Sequence, residues 1–180
     1  MYNNNIYNNN MQNNNMFHKD KTCWQDNMRC DTNNSCPNRK PSIQDWGPRP
    51  LVVNISELAE ENKNYRTTLW TGCYLQVTLM SIKVGEDIGL EIHPDHDQFI
   101  RIEQGEGVVM MGARRERFDF QEKVCEDYAI MIPAGKWHNL INTGCVPLKL
   151  YSIYAPPEHP HGTIHKTKED AQAGEGHCDC

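Results

Sequence analysis

The chain has 180 residues, in which 18 Lys and Arg stand against 24 Asp and Glu. This length fits one ordinary domain with spare residues at its ends. The acidic balance argues against a nucleic-acid partner, because nucleic-acid binding normally requires a basic face.

The hydropathy pattern predicts neither a membrane protein nor a secreted one. No apolar run in the sequence approaches the roughly 20 residues of a membrane-spanning helix. The N-terminus lacks the cationic start and apolar block that are typical of a signal peptide. We therefore expect a cytoplasmic protein with no membrane partner.

Residues 1–49 are predicted to form a disordered, Asn-rich tail that contains cysteines. The tail begins with a short repeat, seen at Tyr2–Ile6, Tyr7–Met11 and Gln12–Met16. Asn favours turns and hydrogen-bonds its own backbone. A segment this polar cannot bury enough apolar surface to offset the entropy lost on ordering. Asn-rich tracts can also self-associate through ladders of side-chain amides.

The cysteines are divided between the ends and the middle of the chain. Cys73, Cys125 and Cys145 lie among apolar residues, where we expect them in or beside strands. The others lie near the ends: Cys23, Cys30, Cys36, Cys178 and Cys180. The spacing of these terminal cysteines does not match a zinc knuckle or ribbon. Exposed, mobile thiols suit disulfide-linked assembly or metal capture, as in a spore coat or surface layer; the other interpretation is that they have no role.

Residues 50–164 are predicted to form a domain of short strands. Leu51–Val53 is a predicted strand, and Ser56–Glu61 a predicted helix capped by Asn54 or Ser56. Apolar or alternating runs bounded by turn residues predict the other strands: Tyr74–Ile82, Ile88–His93, Asp97–Glu103, Val108–Met111, Phe118–Val124, Tyr128–Ile132, Trp137–Asn142 and Leu148–Tyr154. This pattern favours an antiparallel sandwich or barrel. Residues 165–180 are predicted to hold a short helix, Lys166–Ala173, and a tail ending in cysteine.

Ligand-type side chains interrupt two of these strands. The alternation of a strand places Glu91 and His93 on one face, and Gln98 can point into the same interior from the next strand. The interior of a small barrel is normally apolar unless it holds a ligand. A carboxylate, an imidazole and an amide that point inward together indicate a metal ion, and His138 can supply a further ligand.

Two motifs in this region resemble those of the cupin family. Pro133, Gly135, His138 and Asn142 match the second motif, Pro-x-Gly-x-x-His-x-x-x-Asn, although its leading glycine would fall at Asp127. The first motif, which contains His-x-His, an acid and a glycine, is matched in variant form by Glu91-Ile92-His93, Gln98 and Gly105. The resemblance implies an all-β, double-stranded β-helix (the cupin jelly-roll barrel) with short flanking helices.

The resemblance also implies a metal centre, with Glu91, His93, Gln98 and His138 in the place of the family's three His and one Glu. The extra oxygen donor shifts preference toward Mn, Fe(II), Zn or Ni and away from Cu(I). The stretch Tyr151–Ala171 is similar to the C-terminal extension of small cupins described as mannose-6-phosphate isomerase-like.

Three functions are compatible with these residues. The first is a metal-dependent enzyme acting on a small molecule such as a sugar or sugar phosphate, in the manner of an isomerase. The second is a structural cupin crosslinked through its cysteine-rich tails, and the third is a metal-dependent dioxygenase. The sequence offers no clear general base for an isomerisation, so the catalytic residues stay unassigned. Strands with apolar residues on both faces predict a homodimer through a sheet face.

Other candidate residues are expected to lie away from the metal. Pro94 breaks the strand, so His96 is expected at the rim or in solvent. We expect the following to lie in a polar surface loop: His159, His161 and His165. A solvated hairpin tip is expected for the remaining basic cluster: Arg114, Arg115 and Arg117.

Overall fold

The structure is a computed structural model that describes residues 41–175. Over this range two helices flank the strands: α1, Ile55–Glu61, and α2, Lys168–Glu175. The strands in chain order are β1, Arg66–Thr71; β2, Gln76–Ile82; β3, Asp97–Gln104; β4, Glu106–Gly112; β5, Phe120–Cys125; β6, Ala129–Ile132; β7, Trp137–Asn142; β8, Leu148–Ala155; and β9, Ile164–His165. The terminal cysteines and the Asn repeat lie outside the described residues.

The strands form two antiparallel sheets. The larger sheet has the order β6-β3-β8-β2-β1-β9, and the smaller has the order β5-β4-β7. Strands that are neighbours in space are often distant in sequence, as β3 and β8 are, which is typical of a double-stranded β-helix. The predicted all-β fold is confirmed.

The interior between the sheets is apolar over most of its volume. Ile82, Ile100 and Ile102 enter it from the larger sheet, and Val109 and Leu140 from the smaller one; each is at most 2% exposed. Each such side chain contributes about 1.5–3 kcal/mol on burial. This core fixes the two sheets against each other and so positions the polar residues at one end of the interior.

The outer face of the larger sheet is covered by the chain itself. Leu58 and Ala59 of α1 pack with Leu69 and Leu79, and Trp46 packs against the same cluster. The helix begins at Asn54, whose side chain accepts a hydrogen bond from the backbone of Glu57 at 3.3 Å; the predicted cap is thus one of the two expected. Because α1 and the segment before it cover this face, the structure gives less support to a dimer through a sheet face.

Among the first strands, one prediction is wrong and one strand has no counterpart in the predictions. Leu51–Val53 forms no strand; Leu51 and Val53 pack against the outer cluster, Val52 is fully exposed, and the backbone is paired in neither sheet. Arg66–Thr71 is a strand that the pattern does not indicate, because Arg66, Thr67 and Thr68 are polar yet at most 1% exposed. Hydrophobic patterning fails where a strand buries polar residues.

The predicted strand Ile88–His93 is replaced by an irregular segment that runs beside β7. Gly89 has a positive φ of 93°, a conformation that interrupts a regular ladder. Only isolated bridges pair this part of the chain with β7, at Asp87 with Ile141 and at Glu91 with His138. The second of these bridges still places two predicted metal ligands side by side.

Candidate metal centre

Glu91 and His138 are held together by their backbones. The Glu91 N–H donates to the His138 carbonyl at 3.1 Å, and the His138 N–H donates to the Glu91 carbonyl at 3.0 Å. The side chains follow, with His138 Nε2 at 3.3 Å from Glu91 Oε1. The sequence places His138 by the turn at Pro133–Gly135, where Gly135 has a φ of 74° and its N–H donates to the His93 carbonyl.

The ring of His138 directs its Nε2 at this carboxylate. Its Nδ1 lies 2.9 Å from the Lys136 carbonyl oxygen, which can only accept, so Nδ1 carries the ring proton. In the neutral ring, Nε2 and the Glu91 carboxylate are then two acceptors facing each other. Such a pair is stable where a cation lies between them.

His93 completes a three-residue cluster. It is 7% exposed, and its Nε2 lies 3.6 Å from Glu91 Oε1 without a hydrogen-bond partner. The donor atoms of Glu91, His93 and His138 all lie within 4.8 Å of one another. Ligands bound to one ion at about 2.1 Å stand about 3–3.4 Å apart. These three side chains could therefore hold a metal ion.

Gln98 adjoins this cluster through Tyr154. Its side-chain N–H groups donate to Ser152 Oγ at 3.0 Å and to Tyr154 Oη at 3.1 Å, while its Oε1 is buried without a hydrogen-bond partner. The Tyr154 ring packs edge-on to His93, with centroids 5.6 Å apart. The Gln98 amide oxygen, which is the atom of this side chain that could bind a metal, is thus left without a hydrogen-bond partner.

The charges around the cluster favour an ionised Glu91. Burial opposes its ionisation, but contacts with His138 and His93 and the charge of Arg66, 3.9 Å away, hold its pKa well below the usual range. Burial also opposes the charged form of His93, yet Glu158 and Glu91 raise the pKa of His93 to about 9. Burial, and then the charge of Glu91, raise the pKa of Tyr154 to about 12, so its hydroxyl stays protonated.

The prediction for His96 is wrong. His96 is 6% exposed, and its ring stacks on His93 with centroids 4.8 Å apart and planes 24° apart. The rule of alternation places it away from the ligands, but that rule applies within a strand and fails across the turn at Pro94 and Asp95. The Asp95 carboxylate accepts a hydrogen bond from His96 Nδ1 at 2.9 Å, which fixes the ring.

Sequence reasoning missed Glu158, which lies between two of these rings. Its carboxylate oxygens are 3.5 Å from His93 Nδ1 and 3.3 Å from His96 Nε2. A second group that could hold a metal is therefore formed by His93, His96 and Glu158. No spacing signal points to Glu158, because it follows the last long strand and reaches the site through the fold.

The three histidines after β8 do not form one surface cluster. His159 packs edge-on to Tyr154 at 5.3 Å, and burial, followed by the charge of Arg66, lowers its pKa to about 3. His161 is exposed, as expected, and lies 3.4 Å from Asp45. His165 pairs with Arg66 in the sheet. His159 lies in a loop, as expected, but is half-buried there, and the expectation of a loop fails for His165, which lies in β9.

The basic hairpin tip and the central cysteines lie on the surface. The side chains of Arg114, Arg115 and Arg117 are exposed, as predicted for a solvated turn. Cys73, Cys125 and Cys145 are free and exposed. Cys125 ends β5, so the expected placement in or beside strands is right, but these thiols are not shielded from solvent.

Comparison with known proteins identifies the fold family. A family model described as "Cupin domain" matches residues 78–154. The protein YrkC of Bacillus subtilis (strain 168) is 58% identical over 145 residues, which cover 81% of this chain and 78% of that protein. The chain belongs to the cupin superfamily. The motifs noted in the sequence are therefore those of a cupin.

Other relatives agree with this assignment. The protein L612 of Acanthamoeba polyphaga mimivirus is 45% identical over 114 residues, covering 63% of this cupin and 69% of that protein. The crystal structure of BH2720 from Bacillus halodurans is 64% identical, with a TM-score of 0.72 over 73% of this cupin and 99% of that chain. TT1209 from Thermus thermophilus, at 21% identity and a TM-score of 0.50 over 58% of this cupin and 96% of that chain, shares the fold.

Within residues 41–175, neither helix of the cupin is long and apolar enough to cross a membrane.

Proposed function

We propose that this cupin binds one divalent metal ion through Glu91, His93, Gln98 and His138. The observation that carries the proposal is the pair of facing acceptors, Glu91 Oε1 and the Nε2 of His138, at 3.3 Å. The buried Oε1 of Gln98, which has no hydrogen-bond partner, supports it. Two imidazoles, one carboxylate and one amide oxygen suit Mn, Fe(II), Zn or Ni.

We further propose that the ion serves an enzyme acting on a small molecule, with a sugar or sugar phosphate as the favoured substrate class. A bound ion would act as a Lewis acid that polarises a carbonyl or orients neighbouring hydroxyls. The protein would supply the buried, protonated hydroxyl of Tyr154 and the cation of Arg66 beside this position. The isomerase-like assignment rests on the resemblance of Tyr151–Ala171 to mannose-6-phosphate isomerase-like cupins.

Replacing His138 by Ala tests the metal site. The variant should lose most of the bound metal, because one of two imidazoles is removed and an oxygen-rich, weaker site remains. Elemental analysis of purified protein measures this, with His161→Ala as the control because that exposed histidine lies outside the cluster. A full complement of metal in His138→Ala would contradict the ligand assignment. Oxygen uptake by the loaded protein would favour a dioxygenase instead.

A structural role is the second candidate, and the exposed cysteines favour it. Cys73, Cys125 and Cys145 are accessible without any change in the fold, and thiols on mobile chains can pair because disulfide geometry is demanding only where the backbone is fixed. We propose a tail over residues 1–49, a barrel domain over 50–164 and a C-terminal segment over 165–180. A cytoplasmic location fits the enzyme, whereas a spore coat or surface layer fits the crosslinked form.

A further inference from the structure

The carboxylate of Glu158 lies between two buried imidazole rings. Oε1 is 3.5 Å from His93 Nδ1, and Oε2 is 3.3 Å from His96 Nε2. The two rings stack on each other, and their side chains are 8% and 4% exposed, whereas that of Glu158 is 35% exposed. Glu158 therefore reaches inward from the surface to the side of His93 that faces away from Glu91.

The backbone that carries Glu158 is fixed to the barrel. Gln76 of β2 is fully buried, and its Oε1 accepts hydrogen bonds from the backbone N–H groups of Glu158 at 3.3 Å and His159 at 2.9 Å. The Gln76 side-chain amide also donates to the His159 carbonyl at 2.7 Å. A side chain held on a clamped backbone can fix the orientation of the ring that it contacts.

The proposed metal site determines which nitrogen of His93 needs an acceptor. An ion beside Glu91 would be bound by His93 Nε2, which lies 3.6 Å from Glu91 Oε1. A neutral imidazole has one free lone pair, so the ring proton must then lie on Nδ1, the nitrogen that faces Glu158. A carboxylate that accepts this proton fixes the ring and raises its basicity as a ligand.

The same atoms could instead hold a second ion, through His93 Nδ1, His96 Nε2 and Glu158. With an ion already on Nε2, this arrangement requires His93 to lose its remaining ring proton. A hydrogen bond to Glu158 makes no such demand. The geometry of one shared ring therefore favours a single ion with Glu158 outside its coordination.

On the basis of the proposed metal site, we infer that Glu158 is a positioning residue, which orients His93 toward the ion by accepting its Nδ1 proton. The second oxygen of Glu158 lies 3.3 Å from His96 Nε2. The functional unit then extends beyond the motif residues to a carboxylate from the segment after β8.

The test uses the full chain and Co²⁺, whose visible spectrum reports the geometry of its ligands. Glu158→Leu removes the acceptor, and Glu158→Gln keeps its volume and one acceptor oxygen without the charge. We expect Glu158→Leu to lower Co²⁺ affinity by about 10–100-fold, with one ion per chain and a shifted spectrum. The Co²⁺ affinity of Glu158→Gln should lie between that of Glu158→Leu and that of the wild type. Glu122→Gln, an exposed carboxylate on β5, is the control and should change neither readout.

The outcomes separate this inference from the metal site itself. Unchanged affinity and spectrum in the Glu158 variants, beside loss of Co²⁺ in His138→Ala, would overturn the positioning role alone. Two ions in the wild type and one in Glu158→Leu would also overturn it, because Glu158 would then be a ligand. A wild-type chain that binds no Co²⁺ would overturn both proposals. If Glu158→Leu does not fold, Glu158→Gln decides, since unchanged values in that variant contradict the role.

Discussion

Gln98 occupies the position where the cupin motif has an acidic residue, and its surroundings explain why an amide suits it. Ser152 Oγ and Tyr154 Oη both accept hydrogen bonds from its N–H groups. A carboxylate could offer neither donor. The two hydroxyls therefore orient the amide so that its oxygen points away from them. Replacing the acidic residue of the motif by Gln98 removes one negative charge, and Glu91 supplies a negative charge in its place.

Gln98→Leu should weaken metal binding without abolishing it. Leu keeps most of the volume but removes the amide oxygen, so we expect the affinity for a divalent ion to fall by about tenfold or more. Metal titration against a competing chelator measures the change. Gln121→Leu on the exposed strand β5 is the matched control and should bind as the wild type does. Equal affinities in both variants would remove Gln98 from the ligand set.

The ligand candidates could be predicted because they lie within motifs whose spacing is visible in the sequence. His96 and Glu158 could not. His96 is brought onto His93 by a turn, and Glu158 arrives from a segment 62 residues further along the chain. A contact set by tertiary packing leaves no periodicity in the sequence, so the motifs point to the candidate ligands and give no sign of the residues that surround them.

At the scale of secondary-structure elements, the alternation of apolar and polar residues predicted the strands that bury one apolar face. It failed where the buried side chains are polar. β2, β3, β7 and β8 were found because apolar residues recur in them at period two. β1 was missed because its buried side chains are polar, and the segment before Pro94 was taken as regular although Gly89 breaks its pairing. Glu91 still lies beside His138 because isolated bridges to β7 remain.

The segment before α1 is attached to the barrel through Asp45. The Asp45 carboxylate, whose side chain is 1% exposed, accepts hydrogen bonds from the backbone of Gly47, Thr71 and Gly162, each at 3.0 Å, and from the Thr71 hydroxyl at 2.6 Å. These donors come from three separate parts of the chain. Asp45 therefore joins the N-terminal segment, β1 and the loop before β9.

Asp45→Ala should lower the free energy of unfolding by about 3 kcal/mol, because three backbone N–H groups and the Thr71 hydroxyl lose a charged acceptor. Burial opposes ionisation of Asp45, but the hydrogen bonds from Thr71, Gly162 and Gly47 lower its pKa below 3.8. A lowered pKa gives stability that is present above pH 3.8 and lost as the pH falls through the folded-state pKa. Urea unfolding at pH 7 should show the full difference in free energy of unfolding between Asp45→Ala and the wild type. This difference should narrow below about pH 4.

The exposed residue Asp119 provides the control for this measurement. Asp119→Ala should change the free energy of unfolding by less than about 0.5 kcal/mol. An Asp45→Ala variant as stable as the wild type at pH 7 would contradict the joining role.

At the scale of the whole molecule, an apolar patch is left on the edge of the barrel. Met131 of the edge strand β6 is 67% exposed and Phe120 of β5 is 46% exposed, and the two line one cavity with Pro133. Edge strands with exposed apolar residues are templates for pairing with another chain. A second copy of this cupin is the partner that we propose, at the edge of the sheets instead of the covered outer face.

Met131→Glu should convert the proposed homodimer into a monomer, because a carboxylate would be buried at the centre of the patch. Light scattering at micromolar concentration measures the mass, with Tyr74→Glu as a control at an exposed site outside the patch. A wild-type chain that is already monomeric under these conditions would contradict the dimer.

Crosslinking between molecules is expected to use the thiols at the chain ends, and the exposed barrel thiols are the alternative source. Cys73, Cys125 and Cys145 should react with a thiol label in the native protein because they are free and exposed. Oxidation of the full chain should give disulfide-linked multimers that keep their metal and that a reductant converts back to smaller species. If the terminal cysteines carry the linkage, multimers should persist when the three barrel cysteines are changed to Ser, and disappear when the five terminal ones are. Non-reducing gels of the two variants distinguish the sources, and multimers that vanish with the barrel cysteines alone would contradict a linking role for the tails.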